Sequence, residues 1–414
     1  MSAQHHLLAA AAALLVAGAT VVAGATYARW VEQRYVHALA PQVFDQKSQG
    51  SALQRAAFDQ SDLLPIYGSS ELPLPTPSHA NALFRSYPTG FTIFALGKAD
   101  TTSLIWLQEL AGHALQGRKV VLSISPSFFQ RPMVPPENYA GNFSAVHASE
   151  LVFSNQLSFG VKQQAAQRML AYPETLRSYP LLRFALANLA DGSLIGRALY
   201  YAATPVGMLA GAILRLQDHW ETWLFLRKQQ GLNPDVSRTA ATIEWAGLLP
   251  EATRQSQDLA SNNPFGFNHA FWEQRVAETG KLKGSRSDDE FLRSIRASKE
   301  WTDLELLLQG LNDAGARVLL LSMPMNGAYY DYLGISAQGR NIYYDKMREV
   351  AREYHATLVD FRDHDGDRYF LIDSSFHLSR KGWLYYDRAL DAFFHDRPVD
   401  KEIREMSAAE QTGS

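Results

Sequence analysis

Ser70 and His377 are the residues with the clearest chemical potential in this chain. The run Leu63–Tyr67 reads as a short buried strand that stops at Gly68, and Ser69, Ser70 and Glu71 follow at once. A hydroxyl at the end of a central strand is placed to act as a nucleophile, but a serine is weak until a base takes its proton and a third group orients that base. The chain has 12 histidines. One of them, His377, follows Asp373 within "FLIDSSFHLSRKGWLYYD", in a loop after the last predicted strand and before a helix. One loop then delivers both acid and base. A Gly-Ser-Ser turn on its own is usually only a surface turn, so Ser70 carries meaning only together with this pair.

Other polar clusters are expected to be structural. Glu71 suits the first turn of a helix. "DHDGD" at 363–367 resembles a calcium loop but lacks the full ligand spacing and the distal Glu, so it reads as a solvated turn and no metal site is expected. His79 and His113 have no acid close by in sequence, and His395 with Asp396 follows a helix rather than a strand end.

The elements that must position Ser70 and His377 alternate along the chain. Phe91–Leu96 is a second strand, ending at Gly97. Residues 103–116 set Leu104, Leu107, Leu110, Ala111 and Ala114 on one helical face, with Gly117 as the stop, and Val120–Ser125 is a third strand, broken by Pro126. The same order recurs around "GARVLLLSMP", and a last helix and strand close at "ATLVDF", 356–361. Such alternation predicts an α/β fold: a parallel sheet with helices on both faces and the active site beyond the carboxyl ends of its strands. Gly68-Ser69-Ser70, Gly97, Ser125-Pro126 and Pro324-Met325-Asn326 all fall at such ends.

The predicted order of segments is a membrane anchor over 1–30, a connector over 31–60, the first part of the α/β domain over 61–140 and a helical insertion over 141–300. The second part of the domain follows over 301–400, then a disordered tail over 401–414. Pro173, Pro180, Pro205 and Pro250 punctuate the insertion, and "KLKGSRSDDE" at 281–290 reads as an exposed loop. The anchor rests on Leu7–Ala28, 22 positions without a charge. At about 1.5 Å per residue this helix just crosses a hydrocarbon layer of about 30 Å. A retained anchor is expected over a cleaved signal peptide, although "VAGA" near Gly24 offers small residues. The stretch exceeds the usual signal core and no Lys or Arg precedes it. No second span of comparable length is read from the sequence, so everything after residue 30 is expected on one side of the membrane.

Composition narrows the classes further. A formal net charge of −3 gives no electrostatic reason to expect nucleic acid. With no cysteine, disulfides, thiolate zinc sites and a cysteine nucleophile are all excluded. No cofactor is called for.

Several stretches together resemble the DltD family of D-alanyl-lipoteichoic acid biosynthesis proteins: "YGSSEL" at 67–72, residues 90–112, "KVVLSISPSFF" at 119–129, "NPFGFN" at 263–268, and the C-terminal passage 323–387. The resemblance runs through nearly the whole chain after the anchor. It implies an SGNH-hydrolase-like, flavodoxin-like sheet on a membrane tether, with the catalytic domain outside the cytoplasm. It further implies transfer of D-alanine esters onto teichoic acid or another envelope polyol, together with a membrane-bound O-acyltransferase and a D-alanyl carrier protein system. On this resemblance Ser70 is the nucleophile, His377 the base, Asp373 its orienter, and Gly97 lies where the oxyanion is stabilised. One departure stands out: the family usually has the acid three residues before the histidine, whereas Asp373 is four before it and Ser374 takes the nearer place. A bulged loop that still lets Asp373 reach the ring is expected. Two rival functions remain at this point: an esterase or thioesterase that releases D-alanine to water, or an acetyl-group counterpart, and a non-catalytic scaffold for the acyltransferase.

Overall fold

The computed structural model describes residues 3–74, 76–229, 231–233 and 241–412. Strands β1 (Leu63–Gly68), β2 (Thr92–Gly97), β3 (Lys119–Ile124), β4 (Arg317–Ser322) and β5 (Thr357–Val359) form one parallel sheet in the order β2-β1-β3-β4-β5. This is the doubly wound, flavodoxin-like order, and its direction of winding reverses between β1 and β3. The crevice beyond the carboxyl ends of those two strands is therefore the natural site for chemistry.

Every residue of β1 is buried, as are all but the first of β3 and β4. Successive strand side chains point to opposite faces, so both faces of the sheet are covered. Pro65, which has no N–H to donate, lies in the half of β1 that has no partner on β3, since pairing with β3 begins at Ile66. The outer edge of β2 is also protected: Ala95 N donates to Ala40 O at 2.9 Å.

Helices α1 (Ala3–Leu39), α2 (Asp45–Gln49) and α3 (Ala52–Phe58) precede β1. Helix α4 (Ala80–Ser86) leads to β2, and α5 (Ser103–Leu110) to β3; the helix predicted over 103–116 thus stops early, where the Gly112 carbonyl accepts instead from Arg55 at 3.1 Å. Between β3 and β4 come α6 (Pro136–Asn142), α7 (Ala145–Phe153), α8 (Phe159–Met169), α9 (Pro180–Asp191), α10 (Leu194–Lys228), α11 (Trp245–Ala260), α12 (His269–Thr279), α13 (Asp288–Ala297) and α14 (Glu300–Asp313). Helices α15 (Gly327–Leu333) and α16 (Ala337–Glu353) lead to β5, and α17 (Arg380–Phe394) and α18 (Val399–Thr412) follow it.

Several boundaries differ from the sequence expectation, each for a physical reason. Helix α1 runs on past the expected boundary at residue 30 to Leu39, because Val31, Val36 and Leu39 are buried against the domain. Residues 45–58 are no loose connector. Lys47 is buried and its ammonium donates to Ala40 O (2.6 Å) and Gln42 O (3.0 Å) beyond the end of α1, above the Phe94 ring. Pro173 and Pro180 do open helical turns, but Pro205 and Pro250 lie inside α10 and α11. Both are on exposed faces, where the carbonyl each leaves without a donor meets water. As a result α10 is a second helix long and apolar enough to cross a membrane by length and composition, contrary to the single span read from sequence. The stretch 281–290 is partly helical, with Ser287 capping α13 and Asp288 accepting from Ser336 N at 2.7 Å. The expected tail is helix α18 up to Thr412: Val399 and Met406 are buried, and Glu410 accepts from Tyr385 Oη (2.8 Å) and pairs with the buried Lys381.

The insertion is clamped to the sheet domain by Arg168 of α8, which donates twice to Asp303 of α14, from Nε at 2.6 Å and Nη2 at 3.0 Å. Asp303 is only 1% exposed, and removing one partner of a buried pair leaves an uncompensated charge. Arg168→Ala is expected to lower the unfolding free energy by about 3–5 kcal/mol, read by urea denaturation; a change within error would show the clamp carries no stability.

Candidate active site

Strands β1 and β2 finish in register, Gly68 opposite Gly97. A Cβ on Gly97 would lie 2.7 Å from Leu72 Cβ and 2.8 Å from Ser69 O, so the chain after β1 folds directly over Gly97. Glu71 closes that turn by accepting from Ser69 N at 3.0 Å, and Ser69 Oγ donates to Lys98 O at 3.3 Å. Glu71 thus braces the turn itself rather than starting a helix. Ser69 is buried by these contacts, and Ser70 is left half-exposed at the rim.

The acid–histidine loop is built with equal economy. Leu371 and Leu378 form an antiparallel bridge, and Ile372 N donates to His377 O at 2.9 Å. Between them Phe376 takes a left-handed conformation (φ 67°), a tight corner within the four-residue spacing from Asp373 to His377. Asp373 Oδ1 accepts from Ser375 N (2.8 Å) and His377 N (3.3 Å), and Oδ2 meets His377 Nδ1 at 2.6 Å. On the other side of the ring, Nε2 lies 2.9 Å from Ser70 Oγ. The carboxylate can only accept, so Nδ1 carries the proton and Nε2 is free to accept from Ser70. The structure therefore brings Ser70, His377 and Asp373 together, and places Gly97 beneath the Ser70 turn.

Burial alone would lower the His377 pKa. The hydrogen bond to Asp373 and the negative charges of Asp373 and Glu71 together outweigh it, so the ring titrates above its ordinary 6.5. Burial raises Glu71 itself, while the backbone donors at Ser69 and Glu71, Ser123 and the nearby His377 pull it back.

The loop 263–268 supports this site, a role the sequence reading did not assign to it. Asn263 Oδ1 accepts from Phe265 N (3.2 Å) and Phe267 N (2.9 Å), its Nδ2 donates to Phe267 O (2.6 Å), and Asn326 Nδ2 donates to Phe265 O (2.7 Å). Asn268 N then donates to Ile372 O at 2.7 Å, directly before Asp373. Gly266 has φ +72°, and a Cβ there would fall on the Arg368 carbonyl oxygen. Asn-x-x-Gly-x-Asn with flanking aromatics is the signal that marks a self-bonded loop.

The remaining candidates have structural work. His79 Nδ1 accepts from Asn81 N at 3.1 Å and stacks on Trp383, and burial lowers its pKa to about 4. His113 is buried against Phe58, and the half-exposed His395 reaches Thr89 O at 2.9 Å. "DHDGD" is not a solvated turn: Asp365 accepts from Met325 N (2.9 Å) and Arg340 Nε (2.6 Å), and Asp367 pairs with Lys381. Three elements meet there, so its acids are needed as partners. Among the described residues no group of three or more His, Asp or Glu could hold a metal ion. At the other strand ends, Ser125 caps a short helical turn and Asn326 caps α15.

The DltD protein family matches residues 40–395, most of the chain. The chain belongs to the DltD family. It is 28% identical over 383 residues to Protein DltD of Bacillus subtilis, covering 92% of this chain and 95% of that protein. It is 27% identical to Protein DltD of Staphylococcus aureus, covering 86% and 88% of the two chains, and 25% identical to that of Lacticaseibacillus rhamnosus, covering 86% of each. The DltD match takes in Ser70, Gly97, the 263–268 loop and the Asp373–His377 loop.

Three outcomes are expected for this site. His377 accepts a proton only when neutral, so labelling of Ser70 by a fluorophosphonate should lose rate as pH falls through a midpoint above 6.5. Asp373→Asn removes the charge that raises the ring and lets an amide N–H face Nδ1, which favours the wrong tautomer, so the midpoint should move down while the rate drops on the order of 10⁴-fold. An unmoved midpoint would rule out Asp373 as the orienter. Gly266→Ala should cost about 1–3 kcal/mol or more in stability and slow the same labelling, whereas a wild-type melting curve and rate would show that the loop does not hold Asp373.

Proposed function

We propose that the chain is a membrane-anchored serine acyltransferase that moves D-alanyl esters onto a teichoic acid or a related cell-envelope polyol. The observation that carries this reading is the hydrogen-bonded series Ser70–His377–Asp373 at the carboxyl end of β1, in a chain of a family implicated in D-alanyl-lipoteichoic acid biosynthesis. Ser70 Oγ attacks the carbonyl of an activated D-alanyl ester or thioester, and His377 Nε2 takes its proton. The tetrahedral oxyanion is stabilised by backbone donors near Ser70 and Gly97, each worth about 3 kcal/mol. Collapse expels the donor alcohol or thiol, which leaves with the proton from His377. A polyol hydroxyl then attacks the acyl-enzyme, gives its proton to His377, and departs as the D-alanyl ester while Ser70 regains a proton.

In this reading a membrane-bound O-acyltransferase and a D-alanyl carrier protein system supply the activated group, and the domain works on the extracytoplasmic side. The apolar, charge-free start of α1 fits the anchoring. The scaffold alternative drew on the four-residue spacing, and the 2.6 Å contact between Asp373 and His377 supports the enzyme reading over it. Hydrolytic release of D-alanine would use the same three residues and differs only in admitting water to the acyl-enzyme.

Cells carrying Ser70→Ala or His377→Ala, at matched protein levels, should incorporate labelled D-alanine into the envelope only at the level of cells lacking the protein. Undiminished label in both would overturn the enzyme reading.

A further inference from the structure

Helix α10 carries two opposed faces along its whole length. One is committed to the domain. Tyr200 Oη donates to Val152 O (2.6 Å), Gly207 lies against the Phe153 ring, and Asp218 accepts from Ser51 N (2.8 Å) and Ala52 N (2.7 Å). The other face holds Ile195, Leu199, Val206, Leu209, Ile213, Leu216 and Trp220, all exposed and spaced by three, four or seven residues. No charge falls between Arg197 and Arg215. So long an unpartnered apolar stripe marks an interaction surface.

The place where α10 meets the anchor identifies the occupant. His219 Nδ1 lies 2.7 Å from Glu32 Oε1, which ties α10 to α1 at the point where α1 leaves the domain. Around that point stand the exposed Tyr27 and Trp30 on α1 and the exposed Trp220 on α10 beside the partly buried Trp223, with Arg34 over Trp30 and Arg227 over Trp223. Tyr and Trp with a cation beside them are the side chains that settle at a bilayer surface. The stripe thus continues from the aromatic collar of the anchor. Because its opposite face is packed on the domain, α10 does not cross the bilayer as α1 does.

We infer that the exposed stripe of α10 lies in the interfacial layer of the membrane that α1 crosses. The inference rests on the anchoring reading of α1. A single-helix tether alone lets the domain swivel; a second, lateral contact fixes which side of it faces the lipid.

The chain has no native cysteine, so single introduced cysteines can be labelled in the full chain. Leu209→Cys, Ile213→Cys, Leu15→Cys and the exposed Asp289→Cys would each carry an environment-sensitive fluorophore, at about one copy per vesicle of neutral and anionic phospholipid. The labels at 209 and 213 are expected to be quenched by shallow spin-labelled lipid and to lose iodide accessibility several-fold relative to 289, while the label at 15 responds to deep spin-labelled lipid. Iodide accessibility at 209 and 213 equal to that at 289, with 15 still quenched, overturns the proposal and leaves the anchor standing. Shielding from iodide without quenching by lipid means that protein covers the stripe, and also overturns it. A label at 15 that no lipid quenches would instead sink the anchoring reading.

Discussion

The parallel register of β1 with β2, ending on Gly68 opposite Gly97, is the constraint on which the site depends. Parallel strands all deliver their carboxyl ends to one edge, and the missing Cβ of Gly97 lets the Ser69–Leu72 turn fold down onto that edge. Ser70 is then held where a histidine from the far end of the chain can reach it. The two residues are 307 positions apart in sequence, and only a sheet that returns β1 and the last loop to the same edge puts them within 2.9 Å.

What makes that contact chemically useful is the electrostatic setting. His377 is partly removed from water, which alone would favour its neutral form but weaken its basicity. Two carboxylates, Asp373 by direct hydrogen bond and Glu71 by charge, restore that basicity. Neither carboxylate is loose: Asp373 is fixed by two backbone N–H groups of its own loop and Glu71 by the N–H of Ser69. The supporting shell extends outward through Asn268 to the 263–268 loop and through Asn326 to the end of β4. Positioning of this kind is what turns a hydroxyl near an imidazole into a nucleophile, because a small displacement of either partner forfeits the proton transfer.

Helix α1 is joined to the sheet by a buried polar side chain as well as by apolar packing. Lys47 holds the carbonyls past the end of α1 over the Phe94 ring of β2, and Ala95 pairs with Ala40 at the sheet edge. A buried ammonium is costly unless its donors are used, and here three carbonyls take them up. Helix α1 is therefore continuous with the edge of the sheet, which ties the direction of α1 to that of the sheet.

The sequence by itself determined the pieces that depend on local pattern. Alternating apolar runs and helical stripes marked the strands of a parallel sheet, the uncharged run Leu7–Ala28 marked an apolar helix of membrane-spanning length, and residue type plus place in the chain singled out Ser70, His377 and Asp373. Periodicity reports which face is apolar, but not what that face meets. Only the tertiary structure decided that Asp373 reaches its ring, because that turns on how the loop closes on itself, with Ser375 N and His377 N donating to Asp373. It also decided that the acids of "DHDGD" and the polar C-terminal residues serve as partners for Arg340, Lys381 and Tyr385 instead of facing water. Helix α10 was hidden for a related reason: Pro205 reads as a break in isolation. In the fold Gly207 admits Phe153 of the neighbouring α7 closely, and Pro205 lies on the exposed side, so one long helix survives where a local rule expects two.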